Sequence, residues 1–491
     1  MGSAGVELKV AFLPFAAPGH MIPLMNIARL FAMHGADVTF ITTPATASRF
    51  QNVVDSDLRR GHKIKLHTFQ LPSAEAGLPP GVESFNECTS KEMTEKLFGA
   101  FEMLNGDIEQ FLKGAKVDCI VSDTILVWTL DAAARLGIPR IAFRSSGFFS
   151  ECIHHSLRCH KPHKKVGSDT EPFIFPGLPH KIEITRLNIP QWYSEEGYIQ
   201  HIEKMKEMDK KSYAVLLNTF YELEADYVEY FESVIGLKTW IVGPVSLWAN
   251  EGGGKNDSRT ENNNAELMEW LDSKQPNSVL YVSFGSMTKF PSAQVLEIAH
   301  GLEDSGCHFI WVVRKMNESE AADEEFPEGF EERVRESKRG LIIRDWAPQE
   351  LILNHAAVGG FVTHCGWNSI LESVCAGRPI IAWPLSAEQF FNEKFVTRVL
   401  KVGVSIGVRK WWGSTSSETL DVVKRDRIAE AVARLMGDDR EVVEMRDGVR
   451  ELSHAAKRAI KEGGSSHSTL LSLIHELKTM KFKRQSSNVD G

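Results

Sequence analysis

The chain has 491 residues, more than the roughly 250–300 at which one hydrophobic core stops growing, so two domains are expected. Hydrophobic residues make up 43% and charged residues 25%, a globular balance that excludes disorder of the whole chain. The 56 basic and 65 acidic residues give a net charge of −9, and the basic residues are scattered, which argues against a nucleic-acid partner.

The first half alternates short apolar runs with amphipathic patterns. The runs that predict strands are KVAFLPF, ADVTFIT, IKLHTFQLP, DCIVSD and PRIAF. Nearly continuous hydrophobic strands separated by helices predict a parallel, doubly wound sheet. We therefore expect a Rossmann-like domain over residues 1–247, with strand order 3-2-1-4-5.

The polar, Gly- and Asn-rich stretch 248–266 predicts a linker. The pattern then restarts with SVLYVSFGS, HFIWVVR, GLIIRDW, VGGFVTHCG and PIIAWPL, which predicts a second Rossmann-like domain over 267–464. Two such α/β domains would face each other across a cleft. A C-terminal helix over 465–491, with a disordered tail, would return towards the first domain.

The seven cysteines are odd in number and include no Cys-x-x-Cys pair, which favours a reduced protein over a disulfide framework or a zinc site. The N-terminus lacks the features of a signal peptide, and no run approaches 18 apolar residues. We therefore expect a cytoplasmic monomer without membrane insertion.

Several motifs for other functions are missing or out of context. Neither half has Gly-x-Gly-x-x-Gly after its first strand, so a nicotinamide oxidoreductase, which would share this fold, lacks its phosphate-binding fingerprint. Asp55 and Asp57 in VDSDL resemble the metal-binding Asp-x-Asp of some sugar-transferring enzymes. Because they follow a helical pattern in a polar stretch, a solvated turn is the favoured interpretation, and no metal is predicted.

The stretch FVTHCGWNSILESVCAG combines a strand end with a helix start. His364 ends the apolar run, and the carboxyl ends of parallel strands are where ligands bind in such sheets. The helix that follows would present the amides of Gly366, Trp367, Asn368 and Ser369. Free amides at a positive dipole end favour an anion such as a diphosphate, while plain N-capping by Asn368 and Ser369 is the alternative.

Three further polar residues suit a polyhydroxylated ligand. Glu372 could accept both hydroxyls of a ribose, although a glutamate in a first helical turn also simply favours the dipole. Glu388 and Gln389 follow the strand PIIAWPL, where solvated helix-start residues are the alternative. Gln389 offers an amide donor and a carbonyl acceptor that could bracket adjacent sugar hydroxyls.

His20 and Asp123 predict a catalytic pair in the first domain. His20 follows the first strand and Asp123 ends the fourth, and these strands are neighbours about 5 Å apart in the expected order. A carboxylate on one imidazole nitrogen fixes the tautomer and stabilises the imidazolium that forms when the other takes a proton. Alone, His20 would be read as a surface or capping residue.

The 44 residues from Trp346 to Gln389 resemble the signature box of plant UDP-glycosyltransferases of secondary metabolism. The similarity extends over nearly the whole chain and is closest to the branch with saponin (triterpenoid) and flavonoid glycosyltransferases. It implies the two-domain B-type glycosyltransferase fold, His20 as general base and Asp123 as its partner. The one departure noted is Glu388, where many members have Asp.

The resemblance also implies the donor site. Trp346 would stack on uracil, Ala347 and Gln349 would bind the nucleoside, and Glu372 would take the ribose hydroxyls. The diphosphate would be surrounded by Ser286, His364, Asn368 and Ser369. The sugar would be held by Trp367, Glu388 and Gln389, and Gln at the last position usually goes with glucose.

Together these inferences predict an inverting O-glucosyltransferase that uses UDP-glucose, without a cofactor or metal, on a hydroxyl of a lipophilic plant metabolite. A triterpenoid sapogenin or saponin is favoured as acceptor and a flavonoid comes next. UDP-glucuronic acid or UDP-galactose as donor, or a non-catalytic sugar-nucleotide binding protein, are the alternatives. Candidate acceptor-site residues are Phe15, Phe85, Phe148 and Phe149, each of which could instead be core.

Overall fold

The computed structural model describes residues 7–190, 193, 196–251, 258–288, 290–313, 326–344, 346–410 and 421–487. Contacts divide the chain into two compact units. The first comprises Met1–Phe148, Trp192–Lys255 and Lys457–Gly491, and the second comprises Phe149–Gln191 and Asn256–Ala456. This division places Phe149–Gln191 in the second unit, whereas the sequence analysis assigned these residues to the first domain, 1–247. The domain limits drawn from the sequence stay a prediction.

Fifteen strands are found in the described residues. In chain order they are β1 (Leu8–Leu13), β2 (Ala36–Thr42), β3 (Ile64–Thr68), β4 (Cys119–Asp123), β5 (Arg140–Arg144), β6 (Phe173–Ile174), β7 (Glu183–Ile184), β8 (Ala214–Leu217), β9 (Thr239–Ile241), β10 (Val279–Ser283), β11 (His308–Val312), β12 (Gly340–Ile343), β13 (Val358–Thr363), β14 (Ile380–Ala382) and β15 (Gly403–Ser405).

The α-helices of the first half are α1 (Pro18–Met33), α2 (Pro44–Arg59), α3 (Lys91–Met103), α4 (Asn105–Ala115), α5 (Thr129–Leu136), α6 (Phe148–His160), α7 (Glu196–Lys211), α8 (Tyr221–Tyr230) and α9 (Val245–Glu251). Those of the second half are α10 (Ser258–Asp272), α11 (Ser292–Asp304), α12 (Phe330–Ser337), α13 (Gln349–Asn354), α14 (Trp367–Ala376), α15 (Gln389–Lys394), α16 (Arg425–Met436), α17 (Arg440–Ile460) and α18 (Ser465–Ser487).

Each unit is built on one parallel sheet. The first sheet has the order β3-β2-β1-β4-β5-β8-β9, and the second has the order β12-β11-β10-β13-β14-β15. The predicted α/β class with two Rossmann-like sheets is confirmed, as is the strand order 3-2-1-4-5. Successive strands are added to one side of β1 and then to the other, and the same happens around β10. Each reversal of strand order creates a switch point, where sheets of this kind bind ligands.

The sequence accounts for the elements that carry the candidate site. Strand β4 is buried along its whole length, as expected of an apolar strand covered on both faces. Helix α1 begins at Pro18, whose missing N–H is not needed in a first turn. Helix α14 has Gly366 as its N-cap and is followed by Gly377, whose φ of 68° suits the left-handed position after a helix.

The predicted linker 248–266 is partly helical. Trp248 lies in α9, is 6% exposed and stacks on His467 with ring centroids 5.9 Å apart. Helix α10 begins at Ser258, while 252–257 lie outside the described residues, as do 488–491 of the predicted disordered tail. Polar composition alone did not reveal that Trp248 is part of the first core.

The interpretation of Asp55 and Asp57 as a turn was wrong for both residues, and Asp57 is not solvated either. Both residues lie within α2, and Asp57 is 1% exposed. Its carboxylate accepts hydrogen bonds from Arg29 Nε at 2.5 Å and Arg29 Nη2 at 3.2 Å. The charge is therefore compensated by an arginine of α1, a contact between helices that a local polar pattern does not predict.

Candidate active site

His20 and Asp123 meet in the first unit. His20 lies in the first turn of α1, and Asp123 ends β4, the strand paired with β1. The distance from His20 Nδ1 to Asp123 Oδ2 is 2.6 Å, with the imidazole 24% exposed and the carboxylate fully buried. An ionised carboxylate only accepts, so Nδ1 carries the proton and the partly exposed Nε2 is left basic.

Further contacts orient the two side chains. The backbone amide of Ile125 donates to Asp123 Oδ1 at 3.0 Å, which fixes the second carboxylate oxygen. Ser145 Oγ lies 3.3 Å from His20 Nε2. Ser145 was not identified from the sequence, because nothing in the stretch RSSG indicates a neighbour so distant along the chain.

An aromatic cluster borders His20. The Phe15 ring meets the imidazole edge to face at 5.3 Å, stacks on Phe98 at 5.3 Å and lies 5.8 Å from Phe85. Phe98, in α3, was not identified from the sequence because helical periodicity marks it only as an apolar residue. Phe148 and Phe149 are fully buried core residues, which was the stated alternative for them.

His364 is enclosed by two glycines in the second unit. A Cβ atom on Gly285 would lie 2.6 Å from His364 Cε1, and one on Gly366 would lie 2.5 Å from Nε2. Burial lowers the pKa of His364 to about 4, so the imidazole is neutral near pH 7 and would donate a hydrogen bond rather than carry charge. Next to it, Cys365 has a φ of 64°, a strained conformation of the kind found at functional turns.

The side chains after this turn form one hydrogen-bonded chain. Gln349 Nε2 donates to Glu372 Oε2 at 2.5 Å and lies 3.4 Å from Ser369 Oγ. Tyr281 Oη donates to Gln349 Oε1 at 3.3 Å. Burial, with the nearby Glu350 carboxylate, raises the pKa of Glu372 to about 8, so this carboxyl is largely protonated at pH 7.

The remaining residues of the predicted donor site differ in exposure. Trp346 is 63% exposed, whereas Trp367 is 2% exposed and its ring centroid lies 6.1 Å from that of Phe395. Ala347 is buried, and the side chains of Ser286 and Asn368 are half-buried. An exposed tryptophan three residues before Gln349 in the chain is a suitable platform for a flat ring.

The side chain of Gln389 is hydrogen-bonded to the turn that precedes it. Its Oε1 accepts from the backbone amides of Leu385 at 3.0 Å and Ser386 at 2.8 Å, which uses both lone pairs. The amide nitrogen donates to Ser386 Oγ at 3.4 Å, which leaves one N–H for a ligand. The expectation that Gln389 brackets two hydroxyls with donor and acceptor is therefore replaced by donation alone. Glu388, half-buried, precedes it as the N-cap of α15, directly after Ala387 with a φ of 54°.

The comparisons with known proteins identify the family. Residues 12–424 match the family model "UDP-glucoronosyl and UDP-glucosyl transferase". The chain belongs to this family. It is therefore a UDP-glycosyltransferase, and the resemblance seen in the residues from Trp346 to Gln389 is confirmed.

Plant proteins are similar over nearly their whole length. Soyasapogenol B glucuronide galactosyltransferase of Glycine max is 46% identical over 98% of this chain and 97% of its own. UDP-glucose flavonoid 3-O-glucosyltransferase 7 of Fragaria ananassa is 45% identical over 97% of both. The crystal structure of Glycyrrhiza uralensis UGT73P12 complexed with glycyrrhetinic acid 3-O-monoglucuronide has a TM-score of 0.92 at 45% identity, covering 99% of this chain and 98% of that one.

Two features are absent from the described residues. In that part of the chain, no group of three or more His, Cys, Asp or Glu could hold a metal ion. Within the same residues, none of the helices is both long and apolar enough to cross a membrane.

Proposed function

We propose that this UDP-glycosyltransferase is an inverting enzyme in which His20 deprotonates an acceptor hydroxyl. The oxygen then attacks the anomeric carbon in line, the bond to the diphosphate breaks, UDP leaves from the opposite face, and an α-linked sugar becomes a β-glycoside. The observation that carries this proposal is the 2.6 Å contact between His20 and the buried Asp123 carboxylate. The pair has the base-and-orienter geometry of general-base catalysis.

The proposed donor is a UDP-sugar bound by the second unit without a metal. The uracil would stack on Trp346, the ribose hydroxyls would bind Glu372, and the diphosphate would lie against His364 and the first amides of α14. Neutral His364 and helix amides stabilise leaving-group charge in the manner of an oxyanion hole. We propose glucose because Gln389 ends the signature box, and UDP-galactose and UDP-glucuronic acid are the alternatives.

The proposed acceptor is a triterpenoid sapogenin or saponin, with flavonoids next. Support comes from the names of the similar proteins, two of which include a triterpenoid glucuronide and one a flavonoid. The aromatic cluster of Phe15, Phe85 and Phe98 beside His20 would suit a flat lipophilic acceptor. A cytoplasmic location and a monomeric state stay predictions.

The test compares His20→Ala with wild type across several UDP-sugars and three acceptor classes: a triterpenoid aglycone, a triterpenoid monoglucuronide and a flavonoid, with products read by mass spectrometry. General-base assistance is worth 10²–10⁴-fold, so we expect kcat to fall by at least about a hundredfold while UDP affinity is kept. His475→Ala, which alters an exposed histidine of the same unit, serves as the matched control. Turnover above about a tenth of wild type in His20→Ala would exclude His20 as the base.

A further inference from the structure

A buried polar cluster holds the end of β4 in the first unit. We call it the Arg140–Asp209 cluster, and its members are Ser122, Thr124, Thr129, Arg140, Arg144 and Asp209. All six are at most 9% exposed, whereas Ser212, which contacts Arg140 from outside the cluster, is half-buried. It joins β4, β5 and the start of α5 to the end of α7.

Arg140 makes a hydrogen bond with each of its three side-chain nitrogens. Nε donates to Ser122 Oγ at 3.0 Å and to Thr129 Oγ1 at 2.9 Å, and Nη1 donates to Ser212 Oγ at 2.8 Å. Nη2 donates to the backbone carbonyl of Asp123 at 3.1 Å. One rigid, planar guanidinium is therefore attached to both Ser122 and Asp123.

Asp209 accepts hydrogen bonds from Thr124, the residue that follows Asp123 in the chain. Thr124 Oγ1 lies 2.9 Å and 2.8 Å from the two carboxylate oxygens of Asp209, to which it donates. Arg144 Nη2 donates to Asp209 Oδ2 at 2.5 Å, so this carboxylate is itself fixed. Three consecutive residues, 122 to 124, are thus held by the cluster, while the Asp123 carboxylate contacts His20 instead.

Stability alone does not explain so many buried charges. Burial lowers the pKa of Arg140, because removing the guanidinium from water disfavours its charged form. Buried ion pairs can often be replaced by well-packed apolar residues at no loss of stability, since desolvation cancels the attraction. Apolar packing, however, has no direction, whereas these hydrogen bonds fix the backbone at the residue that orients the base.

We propose that the Arg140–Asp209 cluster is a positioning device for Asp123, with Thr124 as the residue that connects Asp209 to the catalytic strand end. The inference rests on the proposed role of His20 as base. Displacements near 1 Å in an active site can cost about a hundredfold in rate, so releasing one side of Asp123 affects turnover rather than binding.

The experiment uses Thr124→Val, which keeps the shape and removes the hydroxyl, and Thr124→Ser, which keeps the hydroxyl and removes a methyl group. The matched control is Ser212→Ala, which removes a contact of the same Arg140 guanidinium but none with residues 122–124. For each variant we would measure steady-state kinetics, varying the UDP-sugar donor and the acceptor in turn, and thermal unfolding.

We expect Thr124→Val to lower kcat about ten- to a hundredfold with both KM values within about twofold, because binding is untouched. Thr124→Ser and Ser212→Ala should stay within about threefold of wild-type kcat. A purely structural role predicts instead that activity follows melting temperature, and that Thr124→Ser loses at least as much as Thr124→Val. That result, or a wild-type kcat in Thr124→Val, would overturn the inference.

His20→Ala, measured in the same series, separates the inference from the proposed function. If His20→Ala keeps turnover, the base assignment is wrong and the inference falls with it. If His20→Ala is inactive but Thr124→Val is not, the base assignment stands and only the cluster's role is refuted.

Discussion

Glu372 is a half-buried acid with a raised pKa, and its ionisation should change the free energy of unfolding. Its pKa is raised from an ordinary value near 4.5 to about 8 by burial, with the Glu350 carboxylate adding to the effect. A carboxyl whose pKa is higher in the folded than in the unfolded chain stabilises the folded state, and this contribution is complete below the pKa of the unfolded chain. It is lost as pH rises from about 4.5 to about 8. Glu372→Gln stays neutral and avoids the loss.

We therefore predict that Glu372→Gln melts at a higher temperature than wild type at pH 8–9 and that the difference shrinks towards pH 5. Thermal unfolding of both proteins over this pH range, without nucleotide, measures it. Glu350→Gln should shift the wild-type dependence to lower pH, since it removes the neighbouring charge. A difference between Glu372→Gln and wild type that does not change with pH would contradict the assigned pKa.

The side chain of Gln389 also stabilises the turn before α15. A substitution of Gln389 should therefore change the stability of the protein as well as its choice of sugar. A neutral imidazole has one acceptor nitrogen, so Gln389→His can satisfy at most one of the amides of Leu385 and Ser386. A buried amide left without a partner costs about 1–3 kcal/mol. The substitution should therefore affect both the turn and the sugar.

We predict that Gln389→His lowers the melting temperature and glucose transfer while raising the ratio of galactose to glucose transfer. The epimers differ only at the hydroxyl of carbon 4, so one hydrogen bond is enough for roughly ten- to a hundredfold preference. The measurement is kcat/KM with both donors on both proteins. An unchanged ratio would show that sugar identity is determined elsewhere, with Trp367 and Glu388 to be tested next.

At the scale of elements, the connection from β13 to α14 leaves no room beyond a glycine. Gly366 has a φ of −62°, which alanine adopts without strain, yet an added Cβ would lie 2.5 Å from His364 Nε2. Gly366→Ala should therefore displace the imidazole and weaken UDP binding at least about tenfold, while the fold is kept. Calorimetric titration with UDP and thermal unfolding measure the two effects.

Two variants make this test specific. Gly99→Ala, at a position in α3 where an added Cβ meets nothing within 4 Å, should bind UDP like wild type. In Gly366→Ala the displaced imidazole should itself obstruct the site. Replacing it in the double variant Gly366→Ala, His364→Ala should relieve the crowding, so the double variant should melt at a higher temperature than Gly366→Ala. UDP affinity equal to wild type in Gly366→Ala would remove His364 from the diphosphate site.

Elements with strong local patterns could be predicted from the sequence, and contacts between distant segments could not. The strand order around β1 and the meeting of His20 with Asp123 follow from buried apolar strands and the rules of parallel sheets. The burial of Asp57 depends on Arg29 of another helix, and the carbonyl of Gln389 is occupied by backbone amides. Polar residues whose partners come from tertiary structure look, in sequence, like solvated ones.

At the scale of the whole chain, the C-terminal helix α18 completes the core of the first unit. Its residues Leu470, Leu473, Ile474 and Leu477 are at most 4% exposed and belong to the same hydrophobic cluster as β1 and α1. Lys481 Nζ also donates to Asp118 Oδ2 at 2.9 Å. The first core is therefore assembled from both ends of the sequence.

We predict that a chain ending at Gly464 fails to fold its first unit. Burying a leucine or isoleucine side chain contributes about 1.5–3 kcal/mol, so the four lost residues account for about 6–12 kcal/mol. That is comparable to the whole stability of an ordinary domain, about 5–15 kcal/mol. A chain ending at residue 487 keeps all of these contacts and should unfold like wild type. Thermal unfolding followed by circular dichroism compares the two, and a single wild-type transition in the shorter chain would show that α18 is dispensable for the core.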